Sequence, residues 1–177
     1  MKDALVAAAL KLFQRKGYDA TTAAHIAAQA GVTERTFFRY FPDKREILFG
    51  ATEMVRESVV SGIRGAPEGL SPLDMLFHAF EGFRAVIEAR RDYAKPRQAL
   101  ISVTPALQER ELAKIAALSD AIAAALKGRA VPPLHAALAA RVGMAAIAHA
   151  QIEWLNDDSI GLGERFAMAR QALRDLL

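Results

Sequence analysis

The sequence predicts an all-α protein of about nine helices, and three observations carry that prediction. Alanine is abundant along the whole chain, while β-branched residues are scattered rather than alternating with polar ones, a composition that favours helix. Apolar residues recur at three- and four-residue spacing. Glycine, proline and hydroxyl residues fall where helices must start and stop. No segment reads as a strand.

The elements follow in order. "DALVAAALKLFQRKG" places Leu5, Ala8 or Ala9, Leu12 and Phe13 on one helical face and stops at Gly17. In "DATTAAHIAAQAG", Thr21 or Thr22 caps a short helix that turns Ile26 and Ala30 inward and closes at Gly31. "VTERTFFRYF" is a second short helix capped by Thr33, with Phe37 and Phe41 four residues apart and Pro42 ending it. Asp43 followed by Glu46 has the form of a capping box, opening a helix expected over 43–64. Ser71 then Pro72 opens a helix over 71–93, and a shorter one crosses 95–103. Thr104 then Pro105 opens the next, and two more cover 132–157 and 161–177.

Bulk properties narrow the function classes. A chain of 177 residues can bury a real core, as one large domain or two small ones. With no cysteine, disulfide and thiolate chemistry are excluded. No apolar run is long enough for a membrane span and no cleavable leader is visible, so a cytoplasmic protein without a membrane partner is expected. Residues 1–50 hold eight Lys or Arg against five Asp or Glu, whereas 51–177 hold fifteen of each. The whole net charge of +3 therefore sits in the first 50 residues, where it suits a polyanion.

Those 50 residues also contain two short helices joined by the tight "AGVT" link, the spacing of a helix-turn-helix. The same spacing fits an ordinary helical hairpin. Gly31 permits the dihedrals of the turn, and Ala27 and Ala30 allow close crossing. In a helix starting at Thr33, Phe37 and Phe41 face the core, with Tyr40 near them. Arg35, Thr36, Phe38 and Arg39 fan over the other faces. Arg35 suits guanine, the Thr36 methyl suits thymine, and Phe38 can pack on sugar or a thymine methyl. Arg39 can neutralise phosphate, the Thr33 cap leaves free N–H groups for another, and Lys44 adds a charge.

Residues 3–49, and above all "AAALKLFQRKGYDATT", "IAAQAGVTERTFFRYF" and the "DK" that follows, resemble the DNA-binding domain of TetR-family transcriptional regulators. The resemblance implies an all-helical homodimer with an N-terminal three-helix reading domain (1–50) and a C-terminal ligand-binding and dimerisation bundle (51–177). It implies double-stranded operator DNA as partner and a small-molecule effector. It also implies that Thr22 touches phosphate, that 33–39 lie in the major groove, and that Lys44 contacts the DNA backbone. Two departures matter. Phe38 stands where the family usually has a tyrosine, which removes one phosphate hydrogen bond. The sequence starts at Met1 directly on the first helix, so contacts from a basic arm in the minor groove are not expected.

No catalytic residue, metal site or cofactor is expected in the remainder. His25, His78, His135 and His149 are scattered without ligand spacing, and neither a nucleophile elbow nor a phosphate loop is present. Bulky apolar residues in the long helices are mainly core. Phe80, Phe83 and Met144, with His78, are the candidates for lining an effector cavity. "ARRDYAKPRQALISV…" and "AHAQIEWLNDDS…" resemble a C-terminal subtype linked to acyl-CoA-like ligands, which favours a lipophilic or acyl effector. Leu138 and Val142, then Phe166 and Leu173, mark apolar stripes for a dimer interface that also runs through Leu134, Leu176 and Leu177. The same stripes could instead close the subunit's own core. The expected function is a ligand-responsive repressor released from a palindromic operator. The alternatives are an activator or ligand-independent regulator of the same fold, and a helical protein-binding adaptor without DNA binding.

Overall fold

In a computed structural model, residues 1–176 are described and Leu177 lies outside them. The described residues form nine α-helices and one 3-10 turn, with no strand. The helices are α1 (Lys2–Lys16), α2 (Ala23–Gln29), α3 (Glu34–Tyr40), α4 (Thr52–Arg64), α5 (Pro72–Glu88), α6 (Arg91–Val103), α7 (Pro105–Lys127), α8 (Pro133–Asn156) and α9 (Leu162–Asp175). The 3-10 turn, Arg45–Leu48, lies between α3 and α4. The chain gathers into two compact units. One is Met1–Thr52 with Lys95–Leu112, the other Glu53–Ala94 with the chain from Ala113 onward.

In the first unit α1 packs on α2 and α2 on α3. Leu5, Ala9, Phe13, Ile26, Phe37 and Phe41 are buried. Three rings stack in sequence around Phe37, which lies 5.3 Å from Phe38 edge-on and 5.6 Å from Phe41. Burying Phe37 and Phe41 contributes about 1.5–3 kcal/mol each, enough to hold a seven-residue helix that would not form alone. Gly31 takes φ of +70°, as the turn between α2 and α3 requires, and Val32 N–H returns to the Ala27 carbonyl at 2.9 Å.

The single helix expected over 43–64 is two elements. Asp43 does cap, accepting from the N–H groups of Arg45 (2.6 Å) and Glu46 (3.1 Å), but what it caps is the 3-10 turn. Ile47, Leu48 and Phe49 are all buried. The Phe49 N–H bonds back only three residues, to the Glu46 carbonyl at 3.0 Å, the tighter spacing of a 3-10 turn. Glu46 pairs with Arg110. Thr52 restarts the helix with its N–H and hydroxyl on the Phe49 carbonyl.

The second unit has one core, from Val59 and Ile63 through Leu76, Phe77 and Phe80 to Ile122, Ile147, Trp154, Leu162 and Phe166. There α5 packs on α8 and α9, and α8 on α9. Arg129 closes the end of α4 by donating to the carbonyls of Ile63, Arg64 and Ala66. α5 ends at Glu88, earlier than expected, and α6 starts at Arg91. The Arg90 N–H bonds back only three residues, to Ile87 (3.1 Å), which tightens and ends the turn. Pro96 therefore sits inside α6 rather than in its first turn.

Candidate nucleic-acid interface

Two caps set up the reading head. Thr22 Oγ1 accepts from the His25 N–H (3.1 Å), and His25 Nδ1 accepts in return from the Thr22 N–H (3.3 Å). The reciprocal pair fixes the entry to α2 and leaves the exposed Thr22 hydroxyl its hydrogen to donate. Thr33 Oγ1 accepts from the Thr36 N–H (3.2 Å) and lies 3.1 Å from Thr36 Oγ1. Both caps stand where the sequence puts them.

Burial splits α3 into two faces. Phe37 is fully buried. Arg35 and Arg39 are exposed, Thr36 is half-buried and Phe38 is 50% exposed. Tyr40, expected near the core face, is 38% exposed. Its ring carries the Arg39 guanidinium 5.1 Å from its centre. Arg35, Thr36, Phe38, Arg39 and Tyr40 thus make a basic and aromatic surface on a helix whose other side is anchored. Tyr40 is the residue that sequence reasoning missed. Its place one position before Phe41, off the i, i+4 core line, was the available signal.

Lys44 is not the free cation that its position suggests. Its ammonium donates to the carbonyls of Tyr18 (2.8 Å) and Thr21 (2.9 Å), and lies 3.9 Å from the centre of the Tyr18 ring. The loop after α1 presents these carbonyls, so two of the three N–H bonds are used inside the unit. Burial lowers the Lys44 pKa, with Asp19 opposing. Burial also raises the Asp43 carboxyl, but the Arg45 guanidinium and the N–H groups of Glu46 and Arg45 outweigh it and hold the pKa below the usual value.

The effector candidates differ in burial. Phe80 and Met144 are buried in the core and Phe83 is half-buried. Exposed His78 instead borders a groove of about 290 Å³ between α5 and α9, floored by Phe77 and Phe166 and edged by Asp74, Glu81 and Arg170. Of the interface candidates, Leu138 is 53% and Val142 41% exposed, on a face of α8 shared with exposed Leu134 and Ile152. Phe166 has to be reassigned. It is 2% exposed and its ring lies 6.3 Å from Phe80 inside its own core, because α9 turns that side toward α5. Leu173 is half-buried against the same core, and Met168, at 51% exposure, takes the outward place on α9. Among the described residues no group of three or more His, Cys, Asp or Glu could hold a metal ion. No helix among them is long and apolar enough to cross a membrane.

Comparison with known proteins matches both parts of the chain. Residues 5–51 match the tetR family of bacterial regulatory proteins, and residues 70–177 match the MftR C-terminal domain. The HTH-type transcriptional regulator HbdR of Aromatoleum sp. (strain CIB) is 38% identical over 89 residues, 50% of this chain and 39% of that relative. The alignment thus spans well under half of HbdR. The HTH-type transcriptional activator FasR of Mycolicibacterium smegmatis is 26% identical over 167 residues, 87% of this chain and 72% of its own. Among solved structures, the Thermus thermophilus FadR, a TetR-family transcriptional repressor in complex with lauroyl-CoA, superposes with a TM-score of 0.60. That match has 24% identity and covers 98% of this chain and 93% of FadR, showing a shared fold. With a reading head of this type and a C-terminal match over more than half its length, the chain belongs to the tetR family of bacterial regulatory proteins, with a C-terminal domain of the MftR type.

Proposed function

We propose that the chain is an operator-binding transcriptional regulator that acts as a homodimer and, as a repressor, is released from DNA by a lipophilic or acyl effector. The carrying observation is the two-faced α3, anchored by Phe37 and presenting Arg35, Thr36, Phe38, Arg39 and Tyr40 outward. One such helix makes few base contacts, so selectivity calls for two half-sites and two copies. The exposed face of Leu134, Leu138, Val142 and Ile152 supports pairing through α8. The lauroyl-CoA held by Thermus FadR supports an acyl effector. FasR, an activator, supports the opposite regulatory sign as the second reading.

Selection from a random duplex library tests the core of this proposal. The expected product is an inverted repeat, with half-sites one or more helical turns apart. Arg35→Ala should weaken the selected duplex by about 1–3 kcal/mol and relax preference at one base pair per half-site. Enrichment of no sequence would overturn the reading. An acyl-CoA panel then tests the effector, which must bind the DNA-free form more tightly to release the operator.

A further inference from the structure

We infer that α8 meets α8 of a second copy antiparallel, with the two-fold axis at Ala145, Leu138 set against the other copy's Ile152, and Arg141 against its His149. The inference rests on the proposed homodimer and assigns the residues that meet. Leu138, Arg141, Ala145, His149 and Ile152 are all exposed on α8. At 3.6 residues per turn they lie within about 40° of one line along the helix. Val142 flanks that line. The other sides of the same stretch are spent on the subunit's own core, where Ala136, Ala140, Met144 and Ile147 are buried. Leucine and isoleucine aligned on the remaining face form a patch that is costly to leave in water.

The order of residues along this line is symmetric about Ala145. Leu138 and Ile152 stand seven residues to either side, Arg141 and His149 four. A two-fold axis perpendicular to the helix sets each residue before the axis opposite the one equally far behind it. Apolar then meets apolar, and cation meets imidazole. Ala145 meets its own counterpart, and two methyl groups let the helix axes approach to about 8 Å. Neither Arg141 nor His149 has a hydrogen bond or ion pair among the described residues. A guanidinium offers only donors and a neutral imidazole has one acceptor nitrogen, so each supplies what the other lacks. An axis between Gly143 and Met144 would instead set Leu138 against His149 and His135 against Ile152. Both imidazoles would then face apolar side chains without a partner, which costs free energy. The polar pair therefore selects the register. Leu134 and Asn156 lie at the two ends of α8, where crossing helices have already diverged.

The test uses the full chain, which has no cysteine, so that an introduced thiol reports alone. Under mild oxidation Ala145→Cys should link most chains into disulfide dimers, because only a residue near the axis comes within disulfide reach of itself. Leu138→Cys and Ile152→Cys should each cross-link about tenfold less when made separately, and should give the mixed dimer when co-expressed. Two exchanges then test the polar pair by sedimentation equilibrium. His149→Arg should raise the dimer dissociation constant by about tenfold, and adding Arg141→Glu to the same chain should restore it to within about threefold. A protein that sediments as two chains but whose Ala145→Cys variant stays unlinked overturns the inference and leaves the homodimer standing. So does a mixture of Leu138→Cys and Ile152→Cys without mixed dimer, or a double exchange without rescue. A parent protein that sediments as one chain overturns the homodimer itself and this inference with it.

Discussion

Tyr18 and Lys44 show how one residue pair can serve both structure and surface charge. Tyr18 is buried, and its hydroxyl pKa is pushed up to about 12, first by burial and then by the Asp43 carboxylate. An unfolded tyrosine ionises near about 10. Below that value both states keep the proton and the full contribution is present. Between about 10 and 12 only the unfolded chain has released it, so stability falls as pH rises. Lys44 acts the other way: its folded pKa is lowered, so near its unfolded value the unfolded chain holds more protons and stability rises with pH. The Tyr18 shift is the large one, so a net fall is expected above about pH 10. Urea unfolding from pH 8 to pH 11 should show the parent losing ground to Tyr18→Phe at the alkaline end. Parallel curves would exclude the mechanism. The capping roles of Thr22 and Thr33 were readable one residue at a time because a cap bonds only three positions away. The carbonyls that hold Lys44 lie 26 and 23 residues away, and no local pattern announces them.

Helix crossings supply the second scale. Gly62 on α4 and Gly143 on α8 both mark close approaches, but the neighbours differ in stiffness. A methyl group at Gly62 would stand 2.8 Å from Ala79 Cβ and 2.9 Å from its Cα, against α5 backbone that cannot turn aside. At Gly143 it would meet the tip of the Leu76 side chain, which can rotate. Gly62→Ala should therefore cost about 1–3 kcal/mol from overpacking. Gly143→Ala should come out near neutral, since about 1 kcal/mol of helix propensity offsets the shift of Leu76. Thermal or urea unfolding of both variants decides it, and a costlier Gly143→Ala would refute the backbone argument. The same scale explains the misread segments. Helical spacing identified where helices exist, but it did not show that the segment opened by Asp43 ends as a 3-10 turn at Leu48 and restarts at Thr52.

For the whole molecule, the test concerns which apolar residues face a second copy. Leu138→Glu with Val142→Glu places two charges on an exposed face, so the subunit should keep its helicity while the dimer dissociates. Operator affinity should fall with it. Phe166→Glu should instead unfold the subunit. Truncating a core phenylalanine alone costs about 3–5 kcal/mol, and a buried carboxylate adds its desolvation. Sedimentation equilibrium at micromolar concentration, alongside circular dichroism, separates the cases. A Leu138→Glu, Val142→Glu protein that still sediments as two chains would remove α8 from the interface.

The sequence by itself determined the helical class, the caps, the two-faced α3 and the family, because each depends on contacts within a few residues or on a contiguous motif. Only the tertiary structure decided that Phe166 points inward, that Tyr40 points outward, that Lys44 is a strut, and that Arg110 pairs with Glu46. An apolar stripe shows that a face must be covered without showing by what. An arginine shows a charge without its partner. Those answers depend on which distant segments the packed core brings within reach, and a one-dimensional pattern does not hold them.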